Sequence, residues 1–199
     1  SVKIDTNIAK LKESPKKFIA PRENSVKEIK ESISKYTEIA EPSCIINAPL
    51  ETHIILNSGP GTGKTYTIIQ RLMYILKNDL CPAEDIYILC YTRSAKKVIE
   101  TKLEQAIADD IIPPAAKNIC ILTFDSYATY FLMEMKEQGV IKENFDKYDY
   151  NERIKLFNKY ISKEDFVDIS YFVVDEIQDL VNERAEMVLK ISFQHVHLQ

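Results

Sequence analysis

The chain reads as an α/β protein, a parallel sheet with helices on both faces, and three observations predict it. Short runs that are apolar at nearly every position, such as Ile86–Tyr91 and Tyr171–Val174, suit strands buried on two faces. Longer segments between them carry apolar residues at helical spacing. Strand and helix then alternate from His53 to Ser192, the order that β–α–β crossovers impose.

The first 42 residues form an N-terminal helical extension. They begin Lys-rich, broken by Pro15 and Pro21, and become helical from Ser25 to about Ala40. Ser25 and Glu28 make a capping box, and Val26, Ile29, Ile33, Tyr36 and Ile39 share a face. Pro42 ends or interrupts this helix. The main domain spans 43–199. Its first strand is His53–Asn57, followed by a Gly-rich turn and a helix over 64–77 that is apolar nearly all round. The second strand is 86–91. The helix after it, 94–107, places Ala95, Val98, Ile99, Leu103, Ala106 and Ile107 on one stripe. A third strand, 119–123, leads into a helix over 126–137. A polar and aromatic stretch follows, with one helix near 151–161. Tyr171–Val174, the most apolar strand, precedes a helix over 182–192.

Composition narrows the function. With 199 residues, 45% hydrophobic and 28% charged, the chain suits a globular domain with a small appendage. No apolar run approaches the ~18 residues of a membrane span, and no signal-peptide core opens the chain, so a cytoplasmic protein is expected. The net charge of −4 excludes a surface coated in basic residues; any nucleic-acid contact must come from a local patch. Cys44, Cys81, Cys90 and Cys120 lie far apart without the spacing of a metal site or disulfide framework. His195 and His197 read as terminal residues rather than ligands.

The chemistry concentrates in two places. Ser58-Gly59-Pro60-Gly61-Thr62-Gly63-Lys64-Thr65 sits between a strand and a helix and holds three of the chain's four glycines. Such a loop wraps a phosphate with its own N–H groups, which side chains would obstruct. The helix adds its positive end, Lys64 reaches the terminal phosphates, and the Thr65 hydroxyl can bind Mg²⁺. The strict pattern has glycine where Ser58 stands. At the carboxyl end of the last strand, Asp175-Glu176-Ile177-Gln178-Asp179 supplies the acidic partner. Both motifs open onto the crevice beyond the strand ends. There Asp175 would hold Mg²⁺, mostly through water, and Glu176 would orient or activate the attacking water. ATP and Mg²⁺ are the expected ligands.

Together with Asn47-Ala48-Pro49, these two motifs resemble the first RecA-like domain of the UvrD/Rep/PcrA group of superfamily 1 DNA helicases, a P-loop NTPase fold. Asp175-Glu176-Ile177-Gln178-Asp179 matches that family's D-E-x-Q-D, in which the residue at Gln178 couples nucleotide state to the DNA-bound state. Cys90-Tyr91-Thr92-Arg93-Ser94-Ala95 resembles its T-F-T-N-K-A segment, and Thr123-Phe124-Asp125-Ser126-Tyr127-Ala128 resembles T-F-H-S-F-A. The resemblance implies that Tyr91 stacks on a base and that Thr92 and Thr123 touch phosphates. Arg93 and Phe124 then belong to the same DNA-binding face. Residue type alone suits Tyr91 and Phe124 better to core packing; it is the motif context that points to DNA. Arg93, Lys96, Lys97 and Lys102 supply local positive charge.

Three departures from the family stand out. Pro42 replaces a glutamine that reads adenine, Tyr66 replaces an arginine and could stack on the nucleotide base, and Asp125 replaces the histidine of T-F-H-S. A small helical insertion over about 133–169 stands where the family has a larger 1B domain. The resemblance covers about 43 to 192 and implies, as partners, single-stranded DNA or a junction and a second RecA-like domain of the same protein. A regulatory ATPase that binds no DNA is the alternative. A small-molecule kinase, which needs no water-directing glutamate, fits less well.

Overall fold

The computed structural model describes residues 42–50, 54, 63–161, 169–176 and 179–192. The expected helix over 25–40, nearly all of the strand 53–57, loop residues Ser58–Thr62 and Gln178 lie outside them. Pro42 opens a short helix, α1 (Pro42–Ile46), as proline does at a first helical position, where its missing N–H goes unused.

The remaining elements are α2 (Lys64–Lys77), β1 (Ile86–Cys90), α3 (Arg93–Ala108), β2 (Cys120–Thr123), α4 (Phe124–Glu137), α5 (Tyr150–Tyr160), β3 (Tyr171–Val174) and α6 (Asn182–Ser192). The strands are parallel in the order β2-β1-β3, with Ile88 opposite both Ile121 and Val173. Strand alternation then divides the core in two. On one face, Ile86, Ile88, Cys90 and Ile121 pack with α2 and α3 through Leu72, Ile75, Ile99 and Leu103. On the other, Leu89 packs with α4, α5 and α6 through Phe124, Leu132, Phe157 and Met187, with Tyr87, Leu122, Phe172 and Val174 against them. Progress from β1 to β2 and from β2 to β3 runs in opposite directions across the sheet. Right-handed crossovers therefore place the intervening helices on opposite faces.

Local chemistry sets the boundaries. Thr92 caps α3, its hydroxyl oxygen accepting from the Ala95 N–H at 3.0 Å. Thr123 does the same for α4 through Ser126, so α4 begins two residues before the expected position. Asp149 and Glu152 form a reciprocal capping box that starts α5. That helix, in the expected insertion, packs between α4 and α6 within the same core cluster.

Three expectations need correction. Val98 is 48% exposed, because the buried stripe of α3 runs through Ile99, Leu103 and Ala106 and Val98 sits about 100° away around the helix. β3 is only partly buried at all four positions, since among the described residues it pairs on one side, with β1. Helix α2 is not apolar all round: Tyr66 points to solvent, whereas Arg71 is 3% exposed.

Candidate functional site

The two chemical motifs meet in the fold. Lys64, the first residue of α2, places its ammonium 3.4 Å from a carboxylate oxygen of Glu176, 112 residues away in sequence. The backbone makes the meeting possible on both sides. Gly63 caps α2 with φ +90°, a left-handed conformation that a side chain disfavours. A Cβ there would meet no atom within 4 Å, so the glycine is required by backbone conformation and not by crowding. The Gly63 carbonyl accepts from the Thr67 N–H at 2.9 Å, closing the first turn. Across the crevice, the Asp175 N–H extends the β1–β3 pairing by donating to Leu89 O at 2.9 Å. Glu176 then turns into the left-handed region, φ 56°. A non-glycine residue there is strained, and such strain gathers where a side chain must be aimed.

The site is short of positive charge. Burial and the adjacent Glu176 carboxylate raise the Asp175 pKa, and Lys64 together with the Glu176 backbone N–H only partly offsets them. Two carboxylates facing one ammonium, with Thr65 on the first turn of α2, form a hard-oxygen donor set that suits Mg²⁺. Among the described residues no three His, Cys, Asp or Glu side chains cluster. Mg²⁺ ordinarily takes one or two carboxylates and completes its shell with water and phosphate, so this donor set fits it. Tyr66 is 62% exposed beside Lys64 and Thr65. Ser58–Thr62 and Gln178 are outside the described residues.

Arg71 is a residue that sequence patterning missed. Its guanidinium donates to the carbonyls of Ile46 at 3.0 Å, Ala48, and Pro49 at 3.1 Å, and to the Tyr171 hydroxyl at 3.2 Å. It also lies 5.3 Å from the Tyr171 ring centre. This one side chain ties the Asn47-Ala48-Pro49 segment to α2 and to β3. A lone arginine on an otherwise apolar helix face was the available signal.

The strand-end residues divide into two groups. Tyr91 (38% exposed), Thr92 and Arg93 face solvent at the end of β1. The guanidinium of Arg184, on α6, lies 5.7 Å from the Tyr91 ring centre. It also donates to Asp125 at 2.9 Å and to Asn151 at 2.8 Å. The acidic Asp125 thus has a cationic partner from the helix that follows Asp175 and Glu176. Thr123 is buried, its hydroxyl committed to Ser126. Phe124 is 1% exposed within the core, so its ring cannot stack on a base without leaving that core. The strand-end position is filled by packing. Lys96 is paired with Glu100 at 3.5 Å, which weakens the expected basic patch, while Lys97 and Lys102 are exposed.

Residues 40–171 match the model of the UvrD/REP helicase N-terminal domain. A probable DNA helicase II homolog of Mycoplasma pneumoniae is 32% identical over 87 residues, 44% of this chain and 12% of that protein. A putative ATP-dependent DNA helicase, R568, of Acanthamoeba polyphaga mimivirus is 25% identical over 141 residues, covering 65% of this chain and 19% of its own. The RecBCD enzyme subunit RecB of Borreliella burgdorferi is 24% identical over 161 residues, 71% of this chain and 14% of that one. The chain therefore spans less than a fifth of the length of these relatives. No solved structure matches. Because the family model matches residues 40–171, more than half of the chain, the chain belongs to the UvrD/REP helicase N-terminal domain family.

Proposed function

We propose that this chain is a RecA-like P-loop domain that binds and hydrolyses ATP to drive a helicase or translocase on single-stranded DNA. The observation that carries this reading is the approach of Lys64 to Glu176 at 3.4 Å. In that geometry an ammonium for the terminal phosphates and a carboxylate for the attacking water share one crevice. Residues 58–65 wrap the phosphates, and Thr65 and Asp175 hold Mg²⁺, which neutralises developing charge when bound. Tyr66, exposed at the start of α2, stacks on the base. Glu176, held in a strained backbone turn, orients the water. Gln178 couples this chemistry to DNA by family resemblance. Tyr91, Thr92 and Arg93 are the strand contacts, stacking and charge supplying sequence-tolerant affinity. The short insertion over about 133–169, including α5, stands for a reduced 1B element.

Titration calorimetry with Mg·ATP tests the site. Lys64→Ala should abolish nucleotide binding, whereas Glu176→Gln should bind ATP as wild type does and lose about 10²–10⁴-fold in turnover, the usual contribution of a positioned base. Unchanged ATP affinity in Lys64→Ala removes the loop assignment. Wild-type turnover in Glu176→Gln removes the base. Nucleotide binding and turnover that no single-stranded DNA alters would point to the regulatory ATPase instead.

A further inference from the structure

Arg71 sits at 3% exposure on a helix that otherwise buries Ile69, Leu72 and Ile75. A buried cation is costly, and an apolar residue of similar volume would ordinarily serve such a core as well. Packing therefore does not explain Arg71; the best-attested use of a buried charge is to fix register. Its hydrogen bonds show which parts it registers. Nη1 and Nη2 hold the carbonyls of Ile46, Ala48 and Pro49, and Nε donates to the Tyr171 hydroxyl at 3.2 Å. Tyr171 opens β3, while Arg71 stands about two turns, roughly 10 Å, along α2 from Lys64. Helix and strand are thus joined at two points: Lys64 to Glu176 at 3.4 Å in the crevice, and Arg71 to Tyr171 farther down. The lower bond matters because the two motifs ride on different elements. Lys64 and Thr65 travel with α2, whereas Asp175 and Glu176 follow β3, which among the described residues pairs with β1 alone. All four β3 residues are only partly buried, so packing grips this strand less firmly than it grips β1.

We propose that Arg71 is a positioning residue for ATP hydrolysis, bonding α2 to β3 through Tyr171 so that Lys64 and Thr65 keep a fixed separation from Asp175 and Glu176. The inference rests on the motor reading above. Phosphates held by the loop and α2 need no such link, so loosening it should lower turnover and spare metal-free nucleotide binding. The Mg²⁺ contribution should fall too, since Thr65 and Asp175 hold the ion from different elements.

Tyr171→Phe tests this on the 199-residue chain, because it deletes the α2–β3 bond and leaves the bonds to Ile46, Ala48 and Pro49 in place. Three quantities are measured: single-turnover hydrolysis of Mg·ATP, ATP affinity by calorimetry in EDTA, and the gain in affinity on adding Mg²⁺. Tyr171→Phe should slow turnover about tenfold, since a displacement of ~1 Å can cost about 10²-fold. It should also shrink the Mg²⁺ gain while metal-free affinity stays within about twofold of wild type. Arg71→Lys, which keeps a cation but loses the planar fork, should slow turnover at least as much. Ile154→Val, a core change of similar stability cost on the other face of the sheet, should leave all three quantities as in wild type.

A fall in turnover or in the Mg²⁺ gain, with metal-free affinity kept and no such fall in Ile154→Val, supports the proposal. It is overturned if neither quantity moves in Tyr171→Phe, if metal-free affinity falls as well, or if Ile154→Val behaves alike. In each of those cases lost turnover in Glu176→Gln keeps the ATPase reading, and a wild type that binds no ATP overturns both.

Discussion

Replacing Arg71 by Met retains most of the buried stem and deletes the guanidinium. Four hydrogen bonds are lost, to Ile46, Ala48, Pro49 and Tyr171. Hydrogen bonds to a charged group contribute roughly 1.5–3 kcal/mol each, but holding a cation at 3% exposure costs several kcal/mol of desolvation. Ile46 and Ala48 are only half-buried residues and Pro49 is exposed, so water can recover part of the loss. The net should be about 3 kcal/mol, a fall in Tm of roughly 6–12 °C for a domain of this size. Tyr171→Phe, which removes one acceptor, should cost only about 0.5–1.5 kcal/mol. Urea unfolding monitored by far-UV circular dichroism measures both. Hydrogen exchange should also show faster amide exchange over residues 46–50 in Arg71→Met. A stability within about 0.5 kcal/mol of wild type would refute the view that Arg71 clamps this segment.

Three other outcomes are expected. Glu183, in the first turn of α6, has its pKa lowered first by its own backbone N–H and then by Lys155. A lowered pKa stabilises the fold above the ordinary carboxylate range, and that contribution disappears as pH falls through the folded value. Glu183→Gln should therefore cost about 0.5–1 kcal/mol at neutral pH and nothing in strong acid, measured by thermal melts across pH. Burial pushes the Cys81 thiol up to about 11 and Cys90 up to about 12, and raises Cys120, while Cys44 is exposed. A thiol reagent on the native protein should modify Cys44 first and the other three only on unfolding, as peptide mapping would reveal. Phe124→Ala should lose about 3–5 kcal/mol of stability, the cost of emptying a core position, and a merely weakened DNA affinity with normal stability would contradict its placement.

The Gly-rich segment and the Asp175–Asp179 motif stand out in sequence because each is a local pattern with a local cause. Glycine density, a lysine at a helix start and carboxylates after an apolar strand are all visible within a few residues. The strand-end segments were legible only as positions. Whether Phe124 or Tyr91 faced solvent depended on which helices covered each strand end. Charge partners crossed even longer separations: Arg184 reaches Asp125 from 59 residues away, and Arg71 reaches Tyr171 from 100. No periodicity within one helix encodes such a pairing.

By itself the sequence determined the alternation of strands and helices among the described residues, most of their boundaries and the residue types at the Lys64–Glu176 crevice. These follow from side-chain periodicity, capping and backbone conformation, which act over a turn or two of chain. Only the tertiary structure decided that Lys64 meets Glu176, that α5 joins the core beside α4 and α6, and that Phe124 is buried while Tyr91 is not. Those outcomes depend on strand order and helix packing, which bring distant residues together and give each side chain its neighbours.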